Sequence, residues 1–150
     1  MKSRLKNRFF PLEGFTLIEL LIVFSLIGIL MAISFVAFNA TRKSARDSKR
    51  KSDLEQIRSS LEMYRSDQGY YPDTGDLTFG GTLTDPGGTL VYLQSVPTDP
   101  LSPDYYYVYS RQSTNTYYLC TFLETSSGDA GCGDCGSIAG QTCNYKLINP

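Results

Sequence analysis

The chain has 150 residues, a formal net charge of −1 and no histidine. This length fits about one domain, and the small net charge does not support a uniformly basic surface for binding nucleic acid. The lack of histidine excludes imidazole acid–base catalysis and histidine metal sites, so an enzyme is a disfavoured interpretation.

Residues 1–14 form a short basic segment, and residues 15–38 form a long hydrophobic one. The hydrophobic segment contains a single ionisable residue, Glu19. A bilayer core about 30 Å thick needs roughly 20 helical residues, and a cleaved secretory signal has a shorter apolar region. We therefore expect residues 15–38 to form a membrane-spanning helix.

The junction between the two segments reads Gly14-Phe15-Thr16-Leu17-Ile18-Glu19-Leu20. Together with the basic leader, this motif resembles the prepilin class of type IV pilins and type II secretion pseudopilins. The resemblance implies cleavage between Gly14 and Phe15, N-methylation of Phe15, and a role for Glu19 in assembly. On physical grounds, a carboxylate on an apolar helix is costly unless it lies at an interface or faces a partner. The Phe15 amine of a neighbouring subunit is the natural counter-ion.

Two features of the sequence predict opposite orientations of the membrane segment. Six lysines and arginines follow it within residues 42–51, so the positive-inside rule alone places the C-terminus in the cytoplasm. The cysteine-containing acidic tail is instead typical of an extracytoplasmic segment. Together with the prepilin resemblance, the tail favours a cytoplasmic N-terminus.

The helix is predicted to continue beyond the membrane over residues 39–68. No proline or glycine interrupts residues 40–68, and Gly69 can serve as the C-terminal cap. An apolar stripe at three- and four-residue spacing consists of Leu54, Ile57, Leu61 and Tyr64. This amphipathic half is expected to pack onto a small head.

The basic run from Arg42 to Lys51 permits three interpretations. We favour a solvated collar that pairs with the acidic heads of adjacent subunits. Contacts with anionic lipid headgroups or with DNA phosphates are the alternatives, and DNA is the less favoured of these.

Residues 69–150 are predicted to form the head, beginning with a glycine- and proline-rich αβ-loop. Thr89–Gln94 is expected to be a short helical turn. Tyr105–Arg111 and Tyr117–Glu124 read as strands joined by Gln112–Asn115, and Tyr145–Asn149 as a last strand. The predicted fold class is α+β, with a long N-terminal helix packed on a small antiparallel sheet as in type IV pilins.

A second resemblance lies in the head. Its residues are Tyr92, Leu93, Pro97, Asp99, Pro100, Tyr105 and Tyr107. This segment is similar to one found in major type II pseudopilins and related small pilins. The resemblance therefore covers most of the chain and not only the leader.

All four cysteines, Cys120, Cys132, Cys135 and Cys143, lie in the last third of the chain. Two disulfides are the favoured interpretation, with all three pairings open. A zinc site lacks a second closely spaced cysteine pair, and a thiol oxidoreductase lacks the usual βαβ context. Calcium at Asp129 and Asp134 is suggested by the pseudopilin resemblance, but the loop lacks spaced carboxylates, so no cofactor is predicted.

The predicted function is that of a structural subunit that polymerises into an extracytoplasmic helical filament. A type II secretion pseudopilin and a non-polymerising membrane-anchored binding module are the alternatives. The family resemblance implies further copies of the chain, the prepilin peptidase, a platform membrane protein and an assembly ATPase as partners. The precursor is expected in the cytoplasmic membrane and the filament in the periplasm or at the cell surface.

Overall fold

The computed structural model describes residues 14–137 and 141–149. The predicted leader therefore lies outside the described residues, except for Gly14. The chain divides into two units, Met1–Asn39 and Ala40–Pro150, and each is described by itself.

The long helix α1 runs over Leu17–Gln68, within two residues of the predicted bounds. It ends at Gly69, whose φ of 82° requires a residue that tolerates the left-handed region. The Gly69 N–H donates to the Arg65 carbonyl oxygen at 2.8 Å, which satisfies one of the last carbonyls of the helix. The predicted stop at Gly69 is confirmed.

The part of α1 in the first unit is apolar and exposed. An 18-residue window of α1 has a mean hydropathy of 2.8 and is long enough to cross a membrane. Its side chains are open to their surroundings, with Leu17 at 81% and Ile33 at 67% exposure. This segment is thus long and apolar enough to cross a membrane.

The second unit contains two antiparallel sheets. The strands β1 (Leu83–Thr84) and β2 (Val91–Leu93) form the smaller sheet. The larger sheet has the order β3 (Val108–Ser113), β4 (Thr116–Thr121) and β5 (Tyr145–Ile148). The hairpin and the last strand agree with the prediction, but β3 begins at Val108 and not at Tyr105, and it includes Gln112 and Ser113 of the predicted connection. The α+β pilin-like class is confirmed.

The predicted helical turn at Thr89–Gln94 is wrong, because Val91–Leu93 is strand β2. The Asp85 carboxylate accepts the N–H groups of Thr89 and Leu90 at 2.6 and 2.7 Å. These bonds close a tight loop that returns the chain alongside β1. The loop therefore makes a hairpin where the sequence suggested a turn of helix.

The core of the second unit forms where the predicted apolar stripe of α1 meets the sheets. Leu54, Ile57 and Leu61 are fully buried, and Tyr64 is 3% exposed. The buried residues packed against them from the rest of the head are Tyr71, Leu77, Leu83, Val96, Tyr107, Tyr109, Tyr117, Leu119 and Leu147. The amphipathic half of α1 is thus the central element of the head.

Two disulfides tie the segment that follows β4. Cys120 pairs with Cys132, and Cys135 pairs with Cys143. Cys120, Cys135 and Cys143 form a second buried cluster with the partly buried side chains of Val108, Tyr118, Phe122 and Cys132. The disulfides therefore anchor a glycine-rich loop that has little apolar surface of its own.

Candidate processing and assembly site and the polar network of the head

The predicted cleavage junction is accessible. Gly14 precedes the helix, and, apart from Gly14 and its chain neighbours, no heavy atom of the described residues lies within 4 Å of the position that a Cβ would take there. Phe15 is 86% exposed, and α1 begins only at Leu17. The peptide bond between Gly14 and Phe15 is thus outside regular secondary structure and open to a protease.

Thr16 and Glu19 form a reciprocal cap at the start of α1. The Glu19 N–H donates to Thr16 Oγ1 at 3.3 Å, and the Thr16 N–H donates to Glu19 Oε2 at 2.9 Å. The Thr16 hydroxyl also donates to Glu19 Oε2 at 2.7 Å. This is the capping-box arrangement, which satisfies two otherwise unpaired N–H groups. The Glu19 carboxylate is thereby held over the first helical turn, next to the cleavage junction.

The other polar side chains of the apolar segment bond within their own helix. Ser25 Oγ donates to the Ile22 carbonyl oxygen, and Ser34 Oγ donates to the Leu30 carbonyl oxygen, both at 2.8 Å. Such internal bonding makes serine tolerable in a lipid environment. Glu19 therefore remains the one side chain of residues 15–38 whose charge calls for a partner.

The basic run of α1 is organised around Arg50, which is fully buried. Its guanidinium makes a two-pronged contact with Asp99, from Nε to Oδ2 at 2.7 Å and from Nη2 to Oδ1 at 3.1 Å. Nη1 donates to Asp47 Oδ1 and to Glu124 Oε1, each at 2.9 Å. Burial alone lowers the pKa of Arg50, but the bonds to Asp99 and Glu124 outweigh burial and raise this pKa above its usual value. The buried group stays charged because three carboxylates surround it.

Glu124 and Asp47 fasten the segment after β4 to the helix. Arg46 donates to both Glu124 oxygens at 2.6 Å, and this pairing lowers the pKa of the Glu124 carboxyl. Asp47 accepts the N–H groups of Glu124 and Thr125 at 2.9 and 2.8 Å. Burial alone raises the pKa of Asp47, but hydrogen bonds from Thr125 and Glu124 outweigh burial and lower it. The prediction of a solvated collar is therefore wrong for Arg46 and Arg50, which bond within their own head.

A second polar contact crosses from the helix to the start of the large sheet. The Tyr107 hydroxyl donates to Asp53 Oδ2 at 2.9 Å, and Lys49 Nζ donates to Asp53 Oδ1 at 2.5 Å. Burial and the adjacent Asp53 carboxylate raise the pKa of Tyr107. Asp99 and Tyr107 both belong to the second resemblance segment, which thus contacts α1 at two points.

Sequence reasoning did not identify the network of Asp47, Arg50, Asp99 and Glu124. A signal was present, since Asp47 and Arg50 precede Leu54 by seven and four residues and therefore continue the apolar stripe. Polar residues in such a stripe indicate buried partners. The partners themselves come from distant loops and leave no local pattern.

The cysteine pairing bears on the two alternative chemistries of the tail. Each of the four sulfurs is in a disulfide, so none is available as a zinc thiolate. Cys132 and Cys135 are bonded to different partners, which is not the arrangement of a redox Cys-x-x-Cys pair. The favoured disulfide interpretation fits this geometry.

Asp129 and Asp134 are the carboxylates that the pseudopilin resemblance suggested for calcium. Within residues 14–137 and 141–149, no group of three His, Cys, Asp or Glu side chains is placed to hold a metal. Asp129 Oδ1 accepts the Gly131 N–H at 2.7 Å, and Asp134 pairs through its backbone with Thr142. Among the described residues, Asp129 and Asp134 are therefore not part of a group of three such side chains.

Comparison with known proteins assigns the chain to a family. A family model described as type II secretion system (T2SS), protein G, matches residues 38–134. The chain belongs to the type II secretion system protein G family. A second model, the prokaryotic N-terminal methylation motif, matches residues 13–35 and so covers the predicted junction.

Curated relatives of this chain carry the name type II secretion system core protein G. The protein from Vibrio cholerae serotype O1 is 30% identical over 105 residues, which cover 63% of this chain and 69% of the relative. The protein from Escherichia coli K12 is 29% identical over 100 residues, covering 62% and 69%. The protein from Pseudomonas aeruginosa is 30% identical over 104 residues, covering 64% and 72%. No solved structure gives a significant match.

The predicted pilin and pseudopilin family is confirmed by these matches. Of the two filament types, they favour the pseudopilin, which was the alternative interpretation, over the surface pilin. The family is one of structural pseudopilin subunits.

Proposed function

We propose that this chain is the pseudopilin subunit of a type II secretion system, made as a membrane precursor and polymerised into a pseudopilus. The observation that carries the proposal is the protein G match over residues 38–134, directly after the methylation motif at residues 13–35. The long apolar start of α1 supplies the filament core, and the head faces outward.

Processing at the Gly14–Phe15 bond prepares the subunit for assembly. Cleavage creates an amine on Phe15, one residue before the Thr16 N–H that bonds Glu19. The Glu19 carboxylate is thus already oriented toward the end of the helix where the new positive charge appears. In the filament, Glu19 receives the methylated Phe15 amine of a neighbouring subunit as its counter-ion, which offsets the cost of burying the carboxylate.

The proposed localisation rests on the apolar segment of α1 and on the disulfides of the head. The precursor spans the cytoplasmic membrane with residues 15–38, with its N-terminus in the cytoplasm and its disulfide-bonded head outside. Disulfides persist in oxidising compartments, which supports this topology. The proposed partners are the prepilin peptidase, a platform membrane protein, an assembly ATPase and further copies of this chain.

Mass spectrometry of the mature protein tests the processing step. We expect an N-terminus at Phe15 that carries one methyl group, and Gly14→Val is expected to leave the precursor uncut. A mature chain that retains residues 1–14, or that begins at another residue, contradicts the proposal.

Glu19→Ala tests assembly separately from membrane insertion. We expect the variant to be processed and inserted but to give no filaments when the secretion system is overproduced. Glu55→Ala is the matched control, because Glu55 is a half-exposed carboxylate on the same helix with only a surface partner, Arg58. If Glu19→Ala retains full function, a non-polymerising membrane-anchored binding module becomes the better interpretation.

A further inference from the structure

The last turns of α1 and strand β2 form an apolar groove on the surface of the head. Its volume is about 380 Å³, and its lining consists of Met63, Ser66, Asp67, Leu90, Val91 and Tyr92. Met63 is 49% exposed, and Leu90 and Val91 are each 52% exposed. An exposed apolar cluster beside a carboxylate is typical of a protein-binding surface.

The outer face of the larger sheet carries a complementary ridge, formed by Tyr118, Lys146 and Ile148. Leu147 points into the core, so its neighbours in β5 point outward, and Ile148 is 61% exposed. Lys146 Nζ lies 4.5 Å from the centre of the Tyr118 ring, which holds the ammonium over the sheet. Tyr118 and Ile148 are cross-strand partners, so the three side chains form one continuous surface.

The groove and the ridge are built from different elements of the head. The groove lies between the last turns of α1 and strand β2, which belongs to the smaller sheet. The ridge lies on β4 and β5, which belong to the larger sheet. The two surfaces are therefore different patches of the head.

The charges of the two surfaces are opposite. Asp67 supplies a carboxylate at the groove, and Lys146 supplies an ammonium on the ridge. Neither takes part in an ion pair with any residue that the structure describes. Each surface thus presents an apolar area with one charge that the other can match.

We propose that the ridge of one copy of this chain docks into the groove of the next copy, with Lys146 bonded to Asp67. The inference rests on the proposed polymerisation and names its head-to-head contact. Because the two surfaces are different patches, the contact is heterologous, and each added copy offers a new groove for the next. Such a contact does not close a symmetric dimer, and it extends a filament when its rotation does not close a ring.

Zero-length cross-linking tests the contact directly. Filaments are assembled from a mixture of ¹⁵N-labelled and unlabelled processed chains that begin at Phe15, treated with a carbodiimide, and analysed by mass spectrometry. We expect an amide between Asp67 and Lys146 that joins labelled to unlabelled peptides. Cross-links of Asp67 or Lys146 to other residues, without this one, overturn the proposal. Failure of the wild-type chain to form filaments instead contradicts the proposed function.

A charge exchange provides a second, independent readout. Asp67→Lys and Lys146→Asp each place like charges at the contact, and each is expected to lower filament yield about tenfold or more. The double variant restores the opposite pairing and is expected to recover most of the yield. Asp67→Lys leaves folding intact because a cation is favourable at the C-terminus of a helix.

Asp104→Lys serves as the matched control, because Asp104 is an exposed aspartate of the head that lines neither surface. It is expected to assemble like the wild type. Wild-type yields from both single exchanges overturn the proposal, as does a double variant that is no better than the single ones while its disulfides form normally.

Discussion

Arg50 shows how a charged residue can occupy the core-facing side of a helix. Its side chain continues the stripe formed by Leu54 and Ile57, and its charge is met by Asp47, Asp99 and Glu124. The helical spacing of the apolar residues predicted which side of α1 is buried, and Arg50 lies on that side. It could not predict the partners, since Asp99 and Glu124 lie 49 and 74 residues away along the chain. Long-range polar pairs depend on loop paths that no local pattern encodes.

Removing the Arg50 side chain is expected to be strongly destabilising. Arg50→Ala leaves the buried carboxylates of Asp99 and Asp47 without their cation, and breaking a buried ion pair costs about 3–5 kcal/mol. Arg58→Ala is the matched control, because its exposed pair with Glu55 contributes at most about 1 kcal/mol. Denaturant unfolding of the detergent-solubilised chains measures both. Equal stabilities for the two variants would show that the network does not hold the head.

At the scale of elements, the sequence predicts best where the signal is local. The bounds of α1 follow from an uninterrupted helical run and a glycine cap, and the β3–β4 hairpin follows from two aromatic strands around a short polar turn. Strand β2 was missed because three residues carry little periodicity, and its loop depends on side-chain bonds from Asp85. The disulfide pairing also escaped prediction, since four cysteines allow three pairings and the choice depends on the path of the loop.

The pairing can be checked by cutting the unreduced protein on the N-terminal side of aspartates. Cleavage before Asp129 and Asp134 places Cys120 and Cys132 on separate peptides and leaves Cys135 and Cys143 together on a third. With the observed pairing, mass spectrometry is expected to show two linked peptides and one peptide with an internal disulfide. Either of the other pairings joins all three peptides into one species. The two outcomes differ in mass without any need for fragmentation.

For the whole chain, most of the predicted architecture comes from the order of its basic, apolar and acidic segments. A basic leader, an apolar span and an acidic cysteine-containing end already indicate a membrane-anchored α+β subunit with an exported head. The sequence distinguishes only weakly between a pilus subunit and a pseudopilus subunit, because both have the same cleavage junction and the same N-terminal helix. Only similarity over residues 38–134, most of which lie in the head, favoured the pseudopilin.

The stability of the head is expected to decrease in acid. The pKa values of Glu124 and Asp47 are lower in the folded protein than their ordinary values of 4.5 and 3.8. Their contribution is therefore present above about pH 4.5 and is lost as the pH falls through the lowered values. Thermal unfolding measured between pH 3 and pH 7 is expected to show a lower midpoint at the acid end.

Glu124→Gln tests whether the Glu124 carboxylate contributes to this loss of stability in acid. The variant is expected to be less stable at neutral pH, and its midpoint is expected to change less with pH than that of the wild type. Glu55→Gln, at an exposed carboxylate, is expected to retain the wild-type profile. An unchanged acid profile in Glu124→Gln would assign the pH dependence to other groups.

The tyrosine-rich core also gives the head an optical probe of its own. The chain has eleven tyrosines and no tryptophan, so tyrosine ionisation dominates the change in near-ultraviolet absorbance at alkaline pH. Burial raises the pKa of Tyr64 to about 12, and it raises the pKa values of Tyr107, Tyr109 and Tyr117 as well. These phenols therefore stabilise the fold below about pH 10 and oppose it as the pH rises further. An alkaline titration should resolve an early phenolate signal from surface rings and a late one from the interior, which gives a label-free record of core opening.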